Sequence, residues 1–162
     1  MASILNVDKV RATGSTTDAL TIDSSGRVKQ PALPAACFHY QGSNLTGAAI
    51  VPLNTQSVLQ GGMTMSSNAI TLPVAGLYKI GWHHLANDTS ANTNFVIRVN
   101  GATNSDLAHG WATQFRPSYS NNNFSAQTIA SLSANDTVDF YISAGTIHGN
   151  ADYNSMFVYL LG

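Results

Sequence analysis

Five histidines are the residues of this chain best suited to chemistry, as metal ligands or as proton carriers. His83 and His84 are adjacent, so on an extended strand they point to opposite faces and cannot easily chelate one ion. His39, His109 and His148 have no Cys or His partner at ligand spacing. Asp88, Asp106, Asp136 and Asp152 fall in loop-like sequence, and none belongs to a calcium loop with ligands at fixed spacing. A nucleophilic serine would want a Gly-x-Ser-x-Gly elbow leading into a helix, and neither is present. Paired carboxylates on one strand face and a glycine-rich phosphate loop before a helix are also missing. The expectation is therefore no metal, no cofactor and no enzyme. Cys37, between Ala36 and Phe38, reads as an inert buried thiol, and a lone cysteine excludes an intramolecular disulfide. Asn44, Asn87, Asn123 and Asn135 open Asn-x-Ser/Thr sequons that read as surface turns.

The elements that would position these residues are strands. Pro73 fixes its own φ and biases Leu72 towards extended geometry, while Gly76 is free to take the positive φ of a sharp corner. After that corner Tyr78, Ile80 and Trp82 fall on one face, the better candidate for the core. Leu77, Lys79, Gly81 and His83 fall on the other. Phe95, Ile97 and Val99 share a face, as do Val138, Phe140 and Ile142. Residues 100 to 123 read as a long loop carrying Trp111, Phe115 and Tyr119, which would stack on a sugar or pack the head or a subunit seam. No stretch keeps a helical period for more than about two turns. The fold class expected is all-β: an antiparallel two-sheet jelly roll with an extended N-terminal β arm.

The final strand bears on assembly. Met156, Val158 and Leu160 lie on one face, Phe157, Tyr159 and Leu161 on the other, so both faces are apolar. An antiparallel strand with a wet face would alternate, so burial on both sides is expected. One side is the monomer's core; the other meets a neighbouring subunit or a local loop. Tyr153, Phe157, Tyr159 and Leu161 are the candidate subunit interface.

Four stretches carry a resemblance: the Leu72-to-Tyr78 corner, Phe95-Val96-Ile97-Arg98-Val99-Asn100-Gly101, Leu132-Ser133-Ala134-Asn135-Asp136-Thr137-Val138, and the Ser155-x-Phe157-x-x-x-Leu161 ending. In this order they resemble the globular head of the complement recognition component, in the jelly-roll group it shares with tumour necrosis factor. Pro73 stands three residues before Gly76 instead of beside it, and Asn135 stands where that family usually has glycine. The resemblance covers residues 34–162 and implies a homotrimer about a three-fold axis. Some members bind calcium near that axis, but no residue here maps onto such a site.

Residues 1–33 read as a docking arm and linker, and 34–162 as the head. In the arm Ile4, Val7, Val10, Leu20, Ile22 and Val28 are apolar points among polar neighbours, with a hairpin signal around Ser24-Ser25-Gly26. Too few of them are present for the arm to fold alone, so it needs a partner surface. Leu20-Thr21-Ile22-Asp23-Ser24-Ser25-Gly26-Arg27-Val28, after Ile4-Leu5-Asn6-Val7-Asp8-Lys9-Val10, resembles the N-terminal segment of virion structural proteins of tailed, particularly aquatic, phages.

Only 9% of the residues are charged and the net charge is −1, which provides no footprint for nucleic acid or an anionic membrane. The N-terminus lacks a basic n-region and long apolar run, so synthesis ends in a host cytoplasm and release in a virion. Together these features imply a trimeric capsid decoration (cement) protein whose partners are itself and a major capsid protein or another virion protein. A tail- or head-fibre tip binding a host-surface glycan is the alternative. A stand-alone secreted complement-type domain is disfavoured by the missing leader and Gly-x-y stalk.

Overall fold

Period-2 alternation of apolar and polar residues produces strands almost throughout the chain. The structure, a computed structural model, describes residues 8–11, 13–14, 16, 20–30, 33–87, 93–102, 106–112 and 121–162. The strands are β1 (Lys9–Val10), β2 (Leu20–Ile22), β3 (Val28–Lys29), β4 (Ala35–His39), β5 (Leu45–Thr46), β6 (Ala49–Ile50), β7 (Thr55–Gln60) and β8 (Thr64–Ser66). They continue with β9 (Ala69–Thr71), β10 (Gly76–Asn87), β11 (Thr93–Val99), β12 (Asp106–Ala112), β13 (Asn121–Leu132), β14 (Thr137–Ala144), β15 (Thr146–Ile147) and β16 (Asn154–Leu160). All pairings are antiparallel. A single 3-10 turn, Ala151–Tyr153, is the only helical element among the described residues.

Two sheets face one another, as the jelly-roll expectation required. In the seven-stranded sheet β10 pairs with β13 along one edge and with β16, then β15, along the other. β4 and β7 continue outward from β16. The six-stranded sheet runs β12-β11-β14-β9-β8, with β6 also on β14. The inward faces are those the alternation indicates for Tyr78, Ile80 and Trp82 in one sheet and Phe95, Ile97, Val138, Phe140 and Ile142 in the other. On β16, apolar on both sides, Met156 and Val158 turn inward, and all are essentially inaccessible to solvent. Trp82 meets Phe95 edge-on at 4.5 Å and Phe140 at 5.8 Å, and Phe95 stacks on Phe124 at 4.3 Å. Such pairs add about 0.5–1.5 kcal/mol each beyond the area they bury.

Local chemistry fixes the turns. Asn100 and Gly101 both take positive φ (55° and 65°), as a tight Asn-Gly turn demands. Asn135 also sits at φ 69°, so asparagine performs the left-handed role of the glycine it replaces. The Asn100 amide clasps this second turn, donating to Asp136 at 3.0 Å and accepting from Thr137 N–H at 2.9 Å. Donation from Asn100 and from Ser133 N–H holds the Asp136 carboxyl below its usual range.

Two readings of the sequence are corrected. Residues 100–123 are not one loop, since β12 lies within them and pairs with β11 from Thr93↔Ala112 to Arg98↔Asp106. Its Ala108, Gly110 and Ala112 have low strand propensity, so pairing with β11 and not local preference makes the strand. Gly76 is absent from the positive-φ positions. Its requirement is space: a side chain there would run into Leu160 and the Gly162 carbonyl.

In the arm, β1, β2 and β3 form a separate three-stranded sheet. Asp23 organises its turn, accepting from Ser25 and Arg27 N–H, each at 3.0 Å, and from Arg27 Nε at 2.9 Å. Gly26 closes the turn at φ 76°.

Candidate interaction face

The outward face of the seven-stranded sheet is built around Gly81. Phe157 pairs across β16 and β10 with Gly81, and its ring lies over the glycine where any Cβ would overlap it. The next outward residue, Tyr159, stacks on Phe157 at 5.9 Å between ring centres. On the far side of Phe157 come Cys37 of β4 and then Val58 of β7, in register. An open groove of about 430 Å³ runs along Leu33, Ala35, Cys37, Val58, Phe157 and Tyr159. Leu77, on β10 itself, and Ile129, beyond it on β13, are exposed. Cys37 therefore faces outward and is half-buried, while Phe38 is the core residue; burial pushes its thiol up, consistent with an unreactive group.

The polar end of this face is His39. Its Nδ1–H donates to the Asn154 carbonyl at 2.5 Å, leaving Nε2 to accept from Ser57 Oγ at 2.8 Å. The register of β4 on β7 slips between Cys37 and Phe38, so the clasp holds edge strand β7 at a bulge. His84 points the other way, as adjacency with His83 required, and is fully buried. Its Nδ1 accepts from Trp82 Nε1 at 3.1 Å, so Nε2–H donates to the His148 carbonyl at 3.1 Å. Burial lowers its pKa to about 3. It is a neutral structural histidine. Among the described residues no group of three His, Cys, Asp or Glu side chains could hold a metal ion.

The residues singled out from sequence are distributed as follows. Phe157 and Tyr159 are brought together on the outward face, and Leu161 follows just beyond β16, exposed, with its N–H bonded to the Leu77 carbonyl. Tyr153 is not with them. It sits in the 3-10 turn, edge-on to His148 at 5.0 Å. Val10, Leu20, Ile22 and Val28 share one face of the arm's sheet through the pairs Val10↔Leu20 and Ile22↔Val28. They line a shallow apolar hollow of about 120 Å³, and Val10, Ile22 and Val28 are exposed. Ile4, Val7, Phe115 and Tyr119 lie outside the described residues, and so does the side chain of Trp111, which falls on β12. Lys79, Gly81, Cys37 and Val58 were missed as parts of the face; for Lys79 and Gly81 the signal was their shared parity with Leu77.

No family model and no curated protein matches the chain. Solved structures do. Eiger TNF from S. frugiperda superposes with a TM-score of 0.67 at 14% identity, covering 80% of this chain and 93% of that one. The globular domain of zebrafish complement 1qA gives 0.64 at 14% identity, covering 80% and 98%. Murine APRIL gives 0.61 at 15% identity, covering 78% and 99%. The fold is the jelly roll of tumour necrosis factor and the complement head. At these identities the likeness is one of fold, and it bears out the resemblance carried by the four sequence stretches.

The seating of Phe157 on Gly81 is testable. Gly81→Ala is expected to cost about 1–3 kcal/mol in chemical denaturation, the usual penalty for overpacking. Adding Phe157→Ala should remove most of that penalty, because the ring is what the new methyl strikes. Strictly additive losses would show that the ring does not rest there.

Proposed function

We propose that the protein is a non-enzymatic structural component of a tailed-phage virion, a homotrimeric capsid decoration protein docked by its N-terminal arm. The carrying observation is the outward face around Phe157. It lies on β16, an interior strand of its sheet, yet displays two stacked aromatic rings beside an apolar groove. Such a continuous patch on a charge-poor protein is a surface for association, and a closed ring of copies is the ordinary way to cover it. The fold and the resemblance of the head support a three-fold arrangement.

The arm supports docking. Its small sheet has one apolar face and cannot be stable alone, so it gains order by pairing with another surface. Three arms leaving one trimer add their weak contacts through high effective concentration. The stretch from Leu20 to Val28 resembles phage virion segments, which points to a capsid as that surface. Thirty-three residues reach at most about 110 Å when fully stretched, enough to lie along capsid subunits and short for a fibre shaft.

Sedimentation equilibrium should give a trimer at micromolar concentration. Deleting residues 1–33 should leave a trimeric head that no longer co-sediments with undecorated capsids. A monomer overturns the assembly; a truncated head that still binds capsids overturns the arm as anchor. Intact protein found on tails in electron micrographs makes it a fibre component instead.

A further inference from the structure

Lys79 is the one Lys, Arg, Asp or Glu among the seven strands that form the sheet bearing the interaction face. It stands on the outward side between apolar neighbours, paired across the strands with Tyr159 on one side and Ile129 on the other. Its side chain is half-buried, and no described residue gives it a carboxylate. Beside it an open cleft of about 430 Å³ is lined by Lys79, Gln127, Thr128 and Ile129. Lys79 and Gln127 thus line one hollow in a sheet whose strands carry no other Lys, Arg, Asp or Glu.

We propose that this cleft binds a tetrahedral oxyanion of the phosphate or sulfate class, shared by the Lys79 side chains of the assembled copies. The inference rests on the trimer reading above. Closing the face would take each ammonium out of water, and a buried charge without a counter-charge is strongly unfavourable. Symmetry repeats the same cation in every copy, and the sheet carries no acid to offset it. A small dianion answers both needs: it neutralises the converging ammonium groups and accepts their N–H donors together with the Gln127 amide. The bound ion would therefore be part of the seam.

The probe is inorganic phosphate, added to the full-length protein at about 10 mM against sodium chloride of equal ionic strength, with thermal melting and sedimentation read in parallel. The wild-type trimer is expected to melt about 3 °C or more higher in phosphate. Lys79→Met, which keeps the length of the stem without the charge, should stay trimeric and show no phosphate shift; Lys79→Gln serves if the methionine variant does not fold. A wild-type trimer whose melting ignores phosphate overturns the anion site and leaves the trimer standing. A shift of equal size in the Lys79 variant also overturns it. A monomer by sedimentation removes both readings together.

Discussion

Phe140→Ala is expected to lower the unfolding free energy by about 3–5 kcal/mol, and Tyr78→Ala by a similar amount. Both side chains are completely buried between the sheets. Phe140 meets Trp82 edge-on at 5.8 Å, so its removal opens a cavity beside the largest ring in the core. Rigid strands on both sides cannot collapse into that space, which places the cost at the upper part of the range. Tyr78 has an added loss, since its hydroxyl donates to the Val74 carbonyl at 2.8 Å and holds the corner that feeds β10. A loss of stability that leaves the cooperativity of urea unfolding unchanged is the expected signature. Melting unchanged in either variant would mean that the other face of the strand is inward.

The inward faces of β10, β11 and β14 were legible in the sequence because a period of two is a local property, whereas β16 is apolar on both faces. Tyr78, Ile80 and Trp82 announce their own face, and Val138, Phe140 and Ile142 announce theirs. The parity that put Trp82 inside also put His84 inside, so its burial was available from sequence; its hydrogen-bonded tautomer was not, because the His148 carbonyl arrives from the segment after β15, far along the chain. What sequence could not show are facts of cross-strand register. Gly81 and Phe157 are far apart in the chain, and only the alignment of β10 on β16 lays the ring over the glycine. The buried pair Arg98–Asp139, 2.7 Å long, has the same origin: the two residues face each other across β11 and β14, with Arg98 also 4.1 Å above the Tyr141 ring. A lone arginine in an apolar strand gave no sign of its partner. β12 was missed because its small residues carry almost no local signal.

The candidate site divides the same way. Two apolar faces on the last strand pointed to association, and the structure places Phe157 and Tyr159, both half-buried, side by side on the outward face. Leucine, isoleucine and valine positions in the arm pointed to a docking stripe, and four of the six share a face. The extent of the surface came from the sheet order, which carries it from β16 across Cys37 to Val58.

Acid will destabilise the folded protein through His84, beginning well above the range where carboxylates titrate. In the unfolded chain this imidazole takes up a proton near pH 6.5, whereas in the fold burial keeps it neutral to about pH 3. Between those values the unfolded state binds the extra proton, so unfolding is increasingly favoured as pH falls. The stability is fully present above pH 6.5 and lost progressively towards pH 3, with a total on the order of 5 kcal/mol. Between pH 7 and pH 5 the loss should be about 2 kcal/mol, or about 4–8 °C in melting temperature for a chain of this size. The Asp136 carboxyl, held below its ordinary value, adds a loss of the same sign at lower pH. Protonation is costly because the ring is buried and its Nδ1 already accepts from the Trp82 N–H; the His148 carbonyl on Nε2–H favours the charged form but does not offset burial. A proton on Nδ1 would set two donors against each other inside the core. Glutamine supplies one acceptor and one donor without titrating, so His84→Gln should flatten the dependence between pH 7 and pH 5 while lowering stability at pH 7. Equal slopes of melting temperature against pH in the wild type and His84→Gln would assign the acid sensitivity to other groups.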